Sequence, residues 1–437
     1  MGREFTYEDW AKLGESRRKD ASSPFFSRSY AGYSGSQLET ILATVAQDKT
    51  SIFDPMAGQA YALSTLTWLG HDVWLNDYNA ALMLLAWLRS RAVQAEFEEL
   101  RAEFVRWLSE LHLGKEEGEA AGGPMEFNES WVSGRTATCL HALKKHLSPT
   151  PVRQMLEDEP AHRRDLFRLA AVVLAARRVT TYTKSDNRTW LKKGGVDRRP
   201  NLKNEIITEL ENLSSWRAGL LQRLGDDLFD RSSGNAFLTS TPSKSLPSEF
   251  ARDCHVGICS PPYANRLDYS AMWAPEISVL SEISDACGIE ELKERQVAAN
   301  VTRNRTPSYD AIGILPEQVV TALKGISSSS EYASNSYYYP YFANFALDLH
   351  WSMTAAIAAG SHCGTWILFL RDTARKDVLL ESHLIIDGVF EGAGYKRDEA
   401  SNLSVLRSHV GVARRNYARA GLHGLAQREW TLIYSKG

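Results

Sequence analysis

Ser51-Ile52-Phe53-Asp54-Pro55-Met56-Ala57-Gly58-Gln59-Ala60, followed by a helix-like run and then by Gly70-His71-Asp72-Val73-Trp74-Leu75-Asn76-Asp77, reads as strand, loop, helix and strand. Small residues after the first strand let a ligand approach the backbone near a helix N-terminus. An acid ending the second strand can accept hydrogen bonds from ribose hydroxyls. Such a unit predicts an α/β domain with its site at the carboxyl ends of the strands.

About two hundred residues downstream, Val256-Gly257-Ile258 leads into Cys259-Ser260-Pro261-Pro262-Tyr263, with Asn265, Arg266, Asp268 and Tyr269 following. A strand is expected to end there and a rigid turn to begin. Each proline fixes φ near −65° and removes an N–H, so the carbonyls of Ser260 and Pro261 are left as acceptors for an amino group. With a hydroxyl before the turn and an aromatic ring after it, a planar base can stack on Tyr263 while its exocyclic NH2 is held by Ser260 and those carbonyls. The plain alternative is a Pro-Pro turn closing a buried strand.

Together the two stretches resemble amino-methyltransferases that use S-adenosylmethionine. The resemblance makes Phe53, Asp54, Pro55, Ala57 and Gly58 the cofactor loop, and Asp77 the ribose-binding acid. Ser260, Pro261, Pro262 and Tyr263 become the catalytic tetrapeptide, in the serine form usual for N4-cytosine DNA methyltransferases. It adds Tyr33 and Ser34, before the first strand, and Asn235, where the family often has an acid near the adenine ring, as further cofactor candidates. A plain helix start is the competing reading at Tyr33 and Ser34. The family's loop usually has a second glycine, and here that place is Ala60. The implied fold is a Rossmann-like class I methyltransferase, a seven-stranded, mostly parallel sheet with helices on both faces. Toward the C-terminus, a strand at 365 to 371, a helix at 377 to 395 and a strand at Glu429 to Tyr434 fit that fold's last elements.

The chain has 437 residues, 43% of them hydrophobic and 24% charged, ordinary for a globular protein larger than one typical domain. We expect an arm at 1–29, a cofactor half at 30–90, a helical insertion at 91–230 and a catalytic half at 231–437. No apolar stretch approaches the roughly 18 residues needed to span a bilayer, and no leader is recognisable, so a cytoplasmic protein is expected. The five cysteines, at 139, 254, 259, 287 and 363, lack the paired spacing of a zinc site. No metal is expected, and the thiols are expected reduced and buried.

A net charge of −3 gives no global attraction to nucleic acid. Residues 163 to 203, however, hold twelve Arg and Lys against three Asp. A buried helix through Leu166–Leu174, ending at Arg177-Arg178, is followed by a loop from Thr180 to Arg199. That loop offers Arg188, Trp190, Lys192, Lys193, Arg198 and Arg199 as phosphate and stacking contacts for DNA; a solvated basic face is the alternative. Helices are also expected at Gln94 to Leu113, Trp131 to Leu147 and Asn204 to Leu228, with a loop at 114–124. Between 285 and 345 the chain reads as irregular, with Tyr337 to Phe342 as either core or base-stacking residues before a helix at Phe345 to Ala359.

The expected chemistry is transfer of the sulfonium methyl group to the exocyclic amine of a flipped-out base, cytosine N4 first. Positioning is most of that task. Carbon-5 methylation of cytosine would need a cysteine after proline, and the chain has no Pro-Cys dipeptide. N6-adenine DNA methylation, an RNA amino-methyltransferase and a non-catalytic nucleic-acid-binding subunit stay open. A cognate restriction endonuclease is the partner such DNA enzymes imply.

Overall fold

The computed structural model describes residues 50–60, 66–113, 132, 134–180, 182–184, 191–193, 201–224, 234–264, 269–297, 306–330, 333–375, 378–398, 403–406 and 428–437. The arm at 1–29, Tyr33, Ser34, the run at 61–65 and the loop at 114–124 lie outside them. In chain order the strands are β1 Ser51–Asp54, β2 Asp72–Asn76, β3 Tyr182–Lys184, β4 Leu191–Lys193, β5 Ala236–Thr239, β6 Val256–Cys259, β7 Thr365–Arg371, β8 Thr373–Arg375, β9 Val378–Leu380, β10 Tyr395–Arg397, β11 Leu403–Leu406 and β12 Arg428–Lys436. The longer helices are α1 Ala80–Arg89, α2 Phe97–Glu110, α3 Gly134–Lys144, α4 Glu159–Leu174, α5 Leu202–Leu224, α6 Ala274–Ile283, α7 Glu317–Ser328, α8 Tyr339–Ala359 and α9 Ser382–Gly392. The fold class is α/β, with a mixed set of parallel and antiparallel strands. The described residues form two compact units: Gly58–Ser240 with Tyr269–Leu292, and residues 50–57 with Thr241–Asp268 and Lys293–Gly437. The described helices of 91–230 fall in the same unit as β2 and β5.

In the second unit the strands run β10-β12-β7-β6-β1. The β1–β6 and β6–β7 pairs are parallel, whereas β12 is antiparallel to β7 and to both β10 and β11. Strands buried on both faces need unbroken apolar runs, and Trp366 to Leu370 in β7 and all of β6 supply them. Gly257 pairs with Phe53 on one side and Trp366 on the other. A Cβ at 257 would fall 2.2 Å from the Trp366 ring, so only glycine lets the indole lie across β6. The Phe53 and Trp366 rings then meet edge-on at 5.9 Å; burying each such side chain contributes roughly 1.5–3 kcal/mol. Helix α8 packs against α7 and α9.

In the first unit β2 and β5 pair in parallel. Helix α4 has Pro160 in its first turn, where a missing N–H costs nothing, and buries every residue from Leu169 to Leu174. It packs against α1, α2, α5 and α6, with Phe167 meeting Phe97 and Phe104 at 5.9 and 6.0 Å.

Three readings of the sequence are corrected. Thr373–Arg375 and Val378–Leu380 form the antiparallel β8–β9 pair, so the helix expected over 377–395 begins only at Ser382. The expected loop at 180–199 contains the antiparallel pair β3–β4. The irregular stretch at 285–345 holds α7, with Val319, Leu323 and Ile326 buried at helical spacing. Tyr339, Tyr341 and Phe342 are buried in the first turn of α8, as core residues. Among the described residues no helix is long and apolar enough to cross a membrane, and no group of three or more His, Cys, Asp or Glu is placed to hold a metal ion.

Candidate functional site

In the first unit the chain turns sharply at Gly58 and again at Ala60, with φ of +56° and +46°. The left-handed region costs an L-residue about 1–2 kcal/mol, which is why glycine is favoured there. Ala60 adopts this glycine-like conformation while buried. The Gly58 N–H donates to Asp77 Oδ2 at 2.9 Å, and the Asn79 N–H donates to Asp77 Oδ1 at 2.9 Å. Asn79 in turn caps α1, its side-chain oxygen accepting from the Ala81 N–H. Burial pushes the Asp77 carboxyl up to about 6, against the lowering effect of the Asn79 and Gly58 amides. A carboxylate offers about four acceptor sites, so two N–H bonds leave capacity for the two hydroxyls of a ribose.

The carboxyl end of β5 lies beside Asp77. Asn76 is opposite Thr239, and the Ser240 hydroxyl donates to the Tyr78 carbonyl at 3.1 Å. Asn235 is at the other end of the pair: its N–H donates to Asp72, and its carbonyl accepts from Val73. Four strand residues, on the order of 13 Å, separate Val73 from Asp77, so the structure does not bring Asn235 to the candidate ribose site. Ser240, which directly follows β5 and which the sequence did not single out, is the residue that comes there. Its signal is the register of β5 on β2, which no local pattern reveals. Tyr78 closes the group: its hydroxyl is 3.0 Å from Cys287 Sγ and donates to Glu291 Oε1 at 3.0 Å. Burial, with Cys287 and Glu291 beside it, pushes that phenol up.

In the second unit, β1 ends in Asp54, 1% exposed, whose Oδ1 accepts the Met56 N–H at 2.9 Å. Phe53 packs into the core against Phe250 and Trp366, so its ring anchors the start of the loop. Pro55 is buried, while Ala57 is half-buried. Parallel β6 carries Cys259 and then Ser260-Pro261-Pro262-Tyr263. Cys259 and Pro261 are buried; Ser260, Pro262 and Tyr263 are half-buried. Burial pushes the Cys259 thiol well up, and Asp54 pushes it further. From the pairing of Phe53 with Gly257, Asp54 lies level with Ile258, and Ser260 follows two residues on, roughly 7 Å along the strand. The tetrapeptide and Asp54 thus share one edge of the parallel strands.

Beside them, Asp372 directly follows β7. Its carboxylate accepts from the His383 imidazole at 3.0 Å, the His383 N–H and the Trp430 indole N–H at 2.7 Å, an arrangement that ties α9 and β12 to the end of β7.

The basic segment divides in two. Arg163 pairs with Glu159 and Glu96, Arg164 with Glu103, Arg168 with Asp165, Arg177 with Glu276 and Arg178 with Glu209, while the Lys203 ammonium donates to the Leu111 carbonyl. Apart from Asp165, the carboxylates that pair with this half are glutamates outside residues 163–203, which the local count of twelve against three misses. Glu276 is fully buried, and burial pushes its carboxyl up against the pull of Arg177. Lys192 and Lys193 fall in β4, beyond whose backbone nothing is described. Arg188, Trp190, Arg198 and Arg199 lie outside the described residues. Cys254, Cys259 and Cys363 are buried, with Cys139 and Cys287 half-buried, and none of the five is in a disulfide.

No protein-family model, no curated protein and no solved structure matches this chain.

Proposed function

We propose that the chain is a Rossmann-like methyltransferase that transfers a methyl group from S-adenosylmethionine to the exocyclic amine of a nucleic-acid base, cytosine N4 in DNA before adenine N6 or an RNA base. The observation that carries this reading is the placement of Ser260-Pro261-Pro262-Tyr263 at the carboxyl end of β6, beside the buried Asp54 that ends parallel β1. Ligands of open α/β sheets bind outside that edge. In support, the residues of the cofactor loop fit the group: the left-handed turn at Gly58 leaves open space beside the backbone, and Asp77 retains acceptor capacity for a ribose. The left-handed conformation at Ala60, the one a glycine would favour, supports the catalytic reading over a non-catalytic subunit.

S-adenosylmethionine, when bound, supplies an activated methyl group. Asp77 and the loop orient it. Ser260 and the carbonyls of the Pro-Pro turn hold the amine as its nitrogen gains lone-pair character, and Tyr263 holds the base plane so that attack is in line. Ser260→Ala is expected to slow methyl transfer roughly a hundredfold or more. Tyr263→Ala should weaken substrate binding by about 1–3 kcal/mol as well. S-adenosylmethionine binding by both variants should stay near wild type. Radiolabel transfer measured beside cofactor titrations checks this, and full methylation by both variants would return the tetrapeptide to a structural turn.

A further inference from the structure

Within the second unit, between β6 and β7 in the chain, Tyr309 is 53% exposed. A single exposed aromatic is ordinary, but this one is held rigidly. Ser327, near the end of α7, donates its hydroxyl to Asn335 Oδ1 at 3.2 Å, so the Tyr309 hydroxyl, 3.0 Å from Ser327 Oγ, is the donor in that contact. The Tyr339 ring meets Tyr309 at 5.9 Å, and the Tyr339 hydroxyl donates to the Pro307 carbonyl at 3.0 Å, which fixes the segment leading to Tyr309 against the start of α8. Asn335 lies in a costly piece of backbone. Ala333 before it is left-handed, with φ +60°, and Ser334–Tyr338 form one π-helical turn in which the N–H groups of Tyr337 and Tyr338 both donate to the Ala333 carbonyl. Strain of this kind concentrates at functional sites. Lys324, exposed on α7, holds its ammonium 5.9 Å from the centre of the Tyr309 ring. The Asn335 oxygen is used by Ser327, and the side chain is exposed, so its NH2 is left as a donor. The ring is thus framed by hydroxyls, an amide and a cation, where a protein partner would find no apolar groove. An aromatic face for stacking, with a cation in reach of a phosphate, is what an unpaired nucleic-acid strand binds.

We propose that this surface is a stacking platform for an unpaired base of a single-stranded nucleic acid, with Tyr309 under the base, Lys324 on the adjoining phosphate and the Asn335 NH2 on the base edge. The choice of partner rests on the methyltransferase reading and narrows its substrate class to strands that present unpaired bases. The probes are a fluorescein-labelled single-stranded oligonucleotide of mixed sequence and the duplex of the same sequence, titrated with the full chain and read by fluorescence anisotropy. Tyr309→Ala should weaken single-strand binding about fivefold or more, the worth of one base stack, with duplex binding unchanged. Tyr309→Phe, which keeps the ring, should stay near wild type. Lys324→Gln should flatten the salt dependence of single-strand binding by up to about 0.7 log unit. Unchanged single-strand affinity in Tyr309→Ala, as expected of a surface that serves a protein partner, overturns the proposal. So does a loss in Tyr309→Phe as large as in Tyr309→Ala, equal weakening of single strand and duplex, an unchanged slope in Lys324→Gln, or a wild type that binds no single strand. Should Tyr309→Ala not fold, the Lys324→Gln slope decides. A wild type that binds the single strand by this pattern but transfers no methyl group removes the methyltransferase reading and leaves the platform; one that methylates while Tyr309→Ala binds normally removes the platform alone.

Discussion

At Asp77 two effects oppose each other: burial favours the protonated carboxyl, and the Gly58 and Asn79 amides favour the ionised one, with burial winning and the pKa rising from 3.8 to about 6. Folded Asp77 therefore holds its proton more tightly than the unfolded chain does. Its contribution to stability declines as pH rises from about 4 to about 6 and stays low above that. Binding of a ribose diol needs the ionised form, so cofactor affinity should climb as pH passes upward through about 6 and level off by neutrality. Calorimetry from pH 5 to 8 checks this; Asp77→Asn should bind more weakly and show no such pH dependence, and an identical profile in the variant would remove Asp77 from the site. Asp77 is legible in the sequence because an acid closing a strand is a local signal. That Asn235 lies at the other end of the β2–β5 pair from Asp77, and that Ser240 lies near it, are not legible locally, because which end of β5 meets Asp77 depends on pairing across more than 150 residues.

Among the elements, β6 shows why some are readable and others are not. Its apolar lead-in and Pro-Pro stop mark both ends in sequence, as the run Trp366–Leu370 marks β7. Strands β8 and β9 have three residues each, too short to show an alternating period, and Val378-Leu379-Leu380 runs on toward α9 without a breaking residue. Helix α7 is hidden differently: Pro316 before it and serines at its end read as loop punctuation, although the buried positions keep helical spacing. Gly257 is the residue on which the β1–β6–β7 triplet closes. Gly257→Ala should destabilise the protein by about 1–3 kcal/mol or more through overpacking against Trp366. Thermal or urea unfolding measures this, and unchanged stability would mean the indole has room to move that the packing does not show.

For the molecule as a whole, a net charge of −3 leaves any grip on nucleic acid to local surfaces. Arg163 and Arg168 already have carboxylate partners, so Arg163→Ala and Arg168→Ala should leave the salt dependence of DNA binding unchanged. Replacing Arg188, Lys192 and Lys193 together with alanine should flatten it by up to about 0.9 log unit for each duplex phosphate no longer neutralised. Equal slopes in all variants would make the segment a solvated face. The most direct measurement of the central claim is mass spectrometry of nucleosides after incubating DNA or RNA with the protein and S-adenosylmethionine. Amino-methylated nucleosides, N4-methylcytidine or its deoxy form first and N6-methyladenosine or its deoxy form second, are expected with wild type and strongly reduced with Ser260→Ala. A carbon-5-methylated cytosine, or no methylated base from any nucleic acid while the cofactor binds, would contradict it.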